Sequence, residues 1–210
     1  MGSPLRVVAL AIAAAAVLWA AQSNSAPAGP GAGGADAAGT FTFAAAAAPA
    51  DRQAFLVAIA SARPEARALI DRIDGLVDVR IGPTGQNAIG LAAGSAAGWT
   101  VTVDLGPVAA RNGPRGIERV VLHELGHVVD HTLVDPALAA RLDAGIPAGW
   151  GCDQGSSGAC ANRSERFAES FAKWATGDIG LDLYVGYKVP PPAPSLDAWG
   201  APLAALAAAD

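Results

Sequence analysis

The chain has 210 residues, 52% of them hydrophobic and 16% charged, with 14 basic against 19 acidic side chains and a net charge of −5. That length accommodates one ordinary domain plus appendages. The acidic balance, with no basic patch, speaks against a nucleic-acid partner or an anionic membrane surface.

At the N-terminus, Arg6 precedes an uninterrupted apolar run from Val7 to Ala21, followed by Gln22-Ser-Asn-Ser25 and Ala26-Pro27-Ala28. This is the layout of a secretory signal peptide over residues 1–28. Fifteen apolar residues are short for a bilayer span, which takes about twenty, so cleavage after Ser25 or Ala28 is expected. The alternative is an uncleaved anchor, the one attachment to a membrane that the sequence offers. Either way the mature domain is secreted or extracytoplasmic. Cleavage removes only Arg6 among the charges, leaving 13 basic and 19 acidic residues, a net charge of −6. From Gly29 to Ala50 the chain is mostly Gly, Ala and Pro with almost no charge, which reads as a tether. The domain proper is expected over residues 51–210, as a monomer.

Asp51–Ala62 and Pro64–Asp74 carry helical apolar spacing, with Pro64 suited to a first turn. Leu76–Ile81 alternates like a half-buried strand and ends at Gly82-Pro83. Ala88–Ala92 suits a second short strand. Trp99–Leu105 gives the clearest strand, alternating with β-branched residues up to Gly106-Pro107. As an edge strand it would pair with a peptide main chain; burial on both sides inside a sheet is the alternative. A long helix from Pro114 or Arg115 to Thr132 follows, with Val121, Leu125, Val128 and Thr132 on a packing stripe and Val120, His123, His127 and Asp130 on an adjacent one. Gly126 in its middle costs about 1 kcal/mol relative to Ala, which makes sense if another backbone approaches there.

Asp135-Pro136 starts a short helix to about Asp143, and a Gly-rich connector then holds Cys152 and Cys160. In an extracytoplasmic chain these fit a disulfide better than metal ligands. Closing so small a loop contributes about 2.5 kcal/mol on the chain-entropy relation; two free thiols are the alternative. A helix from Ser164, its expected N-cap, ends near Gly177. Val189–Pro194 is extended or polyproline-like, and a terminal Ala-rich helix spans about Leu196–Ala208.

His123-Glu124-Leu-Gly-His127 carries the chemistry. Residues i and i+4 lie one turn apart on one helix face, so the two imidazoles converge on one ion, while the intervening carboxylate stands about 100° around the axis. Such a carboxylate takes a proton from a metal-activated water without being a ligand. With three His and five Glu in the chain, chance gives this pattern in roughly one shuffled chain in a thousand.

A catalytic zinc takes three protein ligands and keeps one position open. His131 is excluded, because in a continuous helix it lies about 12 Å along the axis from His123 and about 80° around it. Asp130 suits a hydrogen bond beside the ligands better than ligation. Glu165 and Glu169, i and i+4 on the following helix, are better placed: Glu165 as third ligand and Glu169 as acceptor for a ligand histidine N–H. Ala172 extends that face with a small side chain that allows close helix approach. The alternative is a solvated acidic face, although Arg163, Arg166 and Lys173 flank it without a regular i to i+4 ladder.

His123-Glu-Leu-Gly-His-Val-Val-Asp130 and Glu165-Arg-Phe-Ala-Glu169, with 165 − 127 = 38 positions from the second His to the first Glu, resemble the gluzincin metallopeptidases. The likeness is to the anthrax-lethal-factor-like group that includes the secreted Pro-Pro endopeptidases, and it covers roughly residues 99–175. It implies one zinc on His123, His127 and Glu165, Glu124 as base, and an α+β, minimal zincin-like domain: a small mixed sheet packed on the active-site helix, with a second, glutamate-bearing helix. The chain departs from that group in one respect. The Tyr that the group carries one loop before its ligand Glu, to stabilise an oxyanion, is missing here, and Gly158 stands seven residues before Glu165. Tyr187 and Tyr184 are the substitutes considered first, then Arg163. Gly180–Gly186 also loosely resembles the Asp-bearing segment of the aspzincins, with Asp182 as a rival third ligand.

The expected activity is hydrolysis of peptide bonds in a protein or peptide substrate. A zinc-binding cell-envelope protein that binds a peptide partner without turnover is the alternative.

Overall fold

The alternating segments Val77–Ile81 and Gly98–Val103 form the centre of a small mixed sheet in the computed structural model, which describes residues 41–85, 88–95, 97–148, 161–181 and 189–209. Four strands, β1 (Thr42–Phe43), β2 (Val77–Ile81), β3 (Gly90–Ser95) and β4 (Gly98–Val103), lie in the order β1-β2-β4-β3. β1, β2 and β4 run parallel, while β3 folds back antiparallel on β4 with Ala92 opposite Val101. Val77, Val79, Val101 and Val103 are buried while Asp78 and Arg80 are exposed, so one face of the sheet is covered by helices.

β4 therefore corrects both expectations for Trp99–Leu105. It is neither an edge strand nor buried on both faces; it sits inside the sheet with one face covered. The edge beside the motif helix belongs to β3. Gly90-Leu-Ala-Ala-Gly-Ser95 contains no β-branched residue, so its strand pattern is weak in the sequence.

Six helices accompany the sheet among the described residues: α1 (Pro49–Ala60), α2 (Pro64–Asp71), α3 (Leu105–Leu133), α4 (Pro136–Asp143), α5 (Arg163–Thr176) and α6 (Leu196–Ala208). The architecture is α+β. None of these helices is long and apolar enough to cross a membrane. The folded part begins earlier than the expected tether boundary at residue 50: Phe41 is buried and both Phe41 and Phe43 meet the Phe55 ring edge-on. Aromatic anchors within an Ala-rich stretch bury enough surface to order it. The signal segment and residues 29–40 of the tether lie outside the described residues.

α3 is the central element, packed on α5, α1 and the β3–β4 hairpin. It is broken at Gly113, whose φ of 62° and ψ of −154° suit only glycine, and Pro114 then opens the motif-bearing part as expected. Every residue from Arg119 to Asp130 is buried, so the packing stripe and the site stripe are both enclosed rather than one being left to solvent. Gly126 meets α5 there: a Cβ on it would stand 3.1 Å from Phe171 Cδ1 and 3.2 Å from Ala168 Cα. The close approach centres on Ala168, one turn before Ala172. Gly126→Val is expected to force α3 and α5 apart and cost roughly 1–3 kcal/mol, as overpacking does, measured by thermal or urea unfolding. A variant as stable as the parent contradicts this packing.

Asn162 caps α5 by accepting a hydrogen bond from the Glu165 N–H (3.0 Å). Ser164, the expected cap, instead turns inward. Gly177 ends the helix in the left-handed conformation, φ 67°. Asp135 caps α4 as expected.

Candidate metal centre

α3 and α5 cross where both are lined by small residues, and this brings His123, His127 and Glu165 into one buried group whose donor atoms all lie within 4.8 Å of one another. Glu165 Oε2 stands 3.2 Å from His123 Nε2 and 3.5 Å from His127 Nε2. A tetrahedral ion with bonds of about 2.0–2.1 Å sets its donors roughly 3.4 Å apart. Two edges of the donor triangle match that spacing, and imidazole and carboxylate are donors of the right chemistry, so this group could hold a metal ion.

The opposite nitrogen of each histidine is also held. His123 Nδ1–H donates to Glu169 Oε2 (3.2 Å), as expected for Glu169. His127 Nδ1–H donates to Ser164 Oγ (2.9 Å), and the same hydroxyl lies 3.1 Å from His131 Nε2. These bonds direct both Nε2 atoms at Glu165. His131 does not join the group, as helix geometry requires; its ring stacks on Trp99 at 5.6 Å.

Asp130 does not support a ligand histidine. Both its oxygens take the Arg163 guanidinium, at 2.8 and 2.7 Å, tying α3 to the first turn of α5. Ser164 fills the place assigned to Asp130, and Arg163 is committed to Asp130 rather than aimed across the donor triangle. Glu165 and Glu169 are not a solvated acidic face, because Glu165 is buried and only 12% of the Glu169 side chain is exposed. Lys173 continues that face as an i to i+4 partner, its Nζ 2.9 Å from Glu169 Oε1. Tyr184, Tyr187, Asp182, Cys152 and Cys160 lie outside the described residues.

Burial alone would depress the His123 pKa, but hydrogen bonds to Glu165 and Glu169 override it and push it up to about 10. Burial likewise would raise both carboxylates. The histidines hold Glu165 far below the usual range, and His123 with Lys173 and Arg119 holds Glu169 down to about 2. These hydrogen bonds favour the protonated form of His123 and the ionised form of both carboxylates.

Glu124 differs. Burial pushes its pKa up, against the pull of His123 and His127 and a hydrogen bond from the Ala92 N–H. Its carboxyl lies against β3 so closely that a Cβ on Gly90 would fall 2.2 Å from Oε1. Asp104 N–H donates to the Ile89 carbonyl (2.8 Å). With Leu91 opposite Thr102 and Ala93 opposite Thr100, the alternation of an antiparallel ladder turns the main-chain groups of Gly90, Ala92 and Gly94 away from β4. β3 offers the main-chain groups of Gly90 and Gly94 and the Ala92 carbonyl at the sheet edge, while the Ala92 N–H is already taken by Glu124.

No family model, curated protein or solved structure matches the chain. The geometry carries the functional reading.

Sequence reasoning missed Ser164, Arg119, Lys173 and Gly90. Arg119 is one turn before His123 and Lys173 one turn after Glu169, so i to i+4 spacing extended along both helices pointed to these two. Nothing local marks Gly90, because its role comes from a strand and a helix meeting.

Proposed function

We propose that the chain is a secreted or membrane-tethered zinc endopeptidase of the gluzincin type, with a zincin-like domain and one zinc on His123, His127 and Glu165. The observation that carries this reading is the donor spacing of 3.2 and 3.5 Å about Glu165 Oε2, close to the roughly 3.4 Å of tetrahedral coordination. When bound, zinc supplies Lewis acidity, polarising a carbonyl and lowering the pKa of water toward neutrality. Glu124 is the base: its carboxylate accepts the proton of the attacking water and returns it to the leaving amine. The outward main-chain groups of β3 would pair with an extended substrate and hold its scissile bond over the site.

Metal analysis should find one zinc per chain, and a peptide library should be cleaved without chelator and spared with it. Absence of zinc overturns the reading. Zinc without cleavage favours the second reading, a peptide-binding envelope protein without turnover; the engagement of Arg163 by Asp130 is the observation on its side, since it withdraws one candidate for the oxyanion.

Two further outcomes follow from the geometry. Because His123 is pushed up to about 10, it carries a proton at pH 8 that ligation must displace. Zinc uptake at that pH should release about one proton, seen as buffer-dependent heats in titration calorimetry; buffer-independent heats would show that His123 is already neutral before zinc arrives. Gly90→Ala should push the Glu124 carboxylate from its seat while the ligands stay, lowering turnover by about 10²-fold or more with zinc content intact. Unchanged turnover would show that Glu124 needs no fixed position.

A further inference from the structure

Two cations are buried behind the donor group and the proposed hydrolysis uses neither. Arg119 is 1% and Lys173 2% exposed, an expensive placement unless each charge is matched. Both converge on a single atom: Glu169 Oε1 takes Arg119 Nη1 at 3.0 Å and Lys173 Nζ at 2.9 Å. The other oxygen, Oε2, takes the His123 Nδ1–H at 3.2 Å. The carboxylate is thereby divided, one oxygen facing the cations and one facing the histidine.

The cations are themselves fixed by main chain. Arg119 Nη2 donates to the Asp178 carbonyl, just past the end of α5, and Lys173 Nζ donates to the Val189 carbonyl at 2.5 Å. Arg119 comes from α3 and Lys173 from α5, so the clamp spans the two helices that supply the donor group. A carboxylate bonded on one oxygen only could rotate about its χ3 torsion, which is broad, and swing the His123 ring with it. Held on both oxygens, it fixes the ring plane and hence the direction of Nε2.

We propose that Arg119 and Lys173 are positioning residues for the metal site, acting on His123 through Glu169. The inference rests on the metal reading above, and adds that metal affinity depends on groups that touch neither the metal nor a ligand. A staple that merely joins α3 and α5 to residues 178 and 189 would stabilise the fold without that dependence.

The two are separated by zinc affinity, measured on the full chain by competition with a chromophoric chelator. Arg119→Met and Lys173→Met should each weaken zinc binding about 10- to 100-fold, the usual effect of losing support behind a ligand histidine. In a Glu169→Gln background both should have little further effect, since their route to His123 is already cut. Arg119→Lys keeps the charge and loses the fork; should a Met variant fail to fold, this one carries the test, with an expected weakening of about three- to tenfold. Affinities within twofold of the parent, or losses that multiply fully in the Glu169→Gln background, overturn the proposal. A parent chain that binds no zinc overturns the metal reading as well, whereas a parent that binds and variants that match it overturn the positioning role alone.

Discussion

Glu124→Gln is expected to keep one zinc per chain and lower peptide hydrolysis by roughly 10²–10⁴-fold. The substitution preserves the size of a buried residue, 6% exposed, that sits against Gly90, where the carboxyl has no room to move toward β3. An amide oxygen can still accept the Ala92 N–H, so the local fold has no reason to change. What disappears is the acceptor for the proton of the attacking water, and an amide does not replace it at any accessible pH. Zinc content, thermal stability and turnover measured on one preparation separate the outcomes. Loss of zinc together with turnover would make Glu124 part of the coordination, and turnover within a few-fold of the parent would remove it from the mechanism. Comparison with Gly90→Ala sharpens the test, because that variant keeps the carboxylate and changes only its position.

The prominence of Glu124 in the sequence shows what is legible there and what is not. His123, Glu124 and His127 are fixed relative to one another by a single helix, so spacing alone placed them. Glu165 and Glu169 share one face of α5 for the same reason, which brings Glu165 to the two histidines and Glu169 behind His123. Which side chain stands behind His127 is different: it depends on how α5 enters after Asn162, and a two-residue difference in the capping position decides whether Ser164 caps the helix or meets His127. Asp130 was misplaced for the same reason, since its partner Arg163 lies on the other helix. The sheet edge was misread because hydrophobic alternation reports burial and not neighbours. Trp99–Val103 alternates strongly because one of its faces is buried and the other is not, while β3, built from Gly, Ala, Leu and Ser, is weak in pattern at the edge where an incoming strand has room to pair.

Glu165→Gln is expected to abolish the stabilisation that zinc gives the chain. In the parent, zinc at about a thousandfold excess over its dissociation constant should add about 4 kcal/mol, on the order of 10 °C in melting temperature for a domain of this size. The variant keeps both histidines but loses the one charged ligand, a deficit that should exceed the about 10–100-fold cost of disturbing groups behind the ligands. Its melting temperature should then barely respond to zinc. The metal-free variant has its own change to undergo, because Glu165 Oε2 is the partner of both His123 and His127 without a cation. Removing a buried carboxylate takes one hydrogen-bond partner and one negative charge from His123, so the ring more readily gives up its proton, which limits the loss of stability. Melting with and without zinc distinguishes the two effects: a lower baseline reports the lost ion pair, and a flat zinc response reports the lost ligand. A zinc-dependent rise equal to that of the parent would mean that Glu165 supports the histidines without binding metal, and the third ligand would have to be sought elsewhere in the chain.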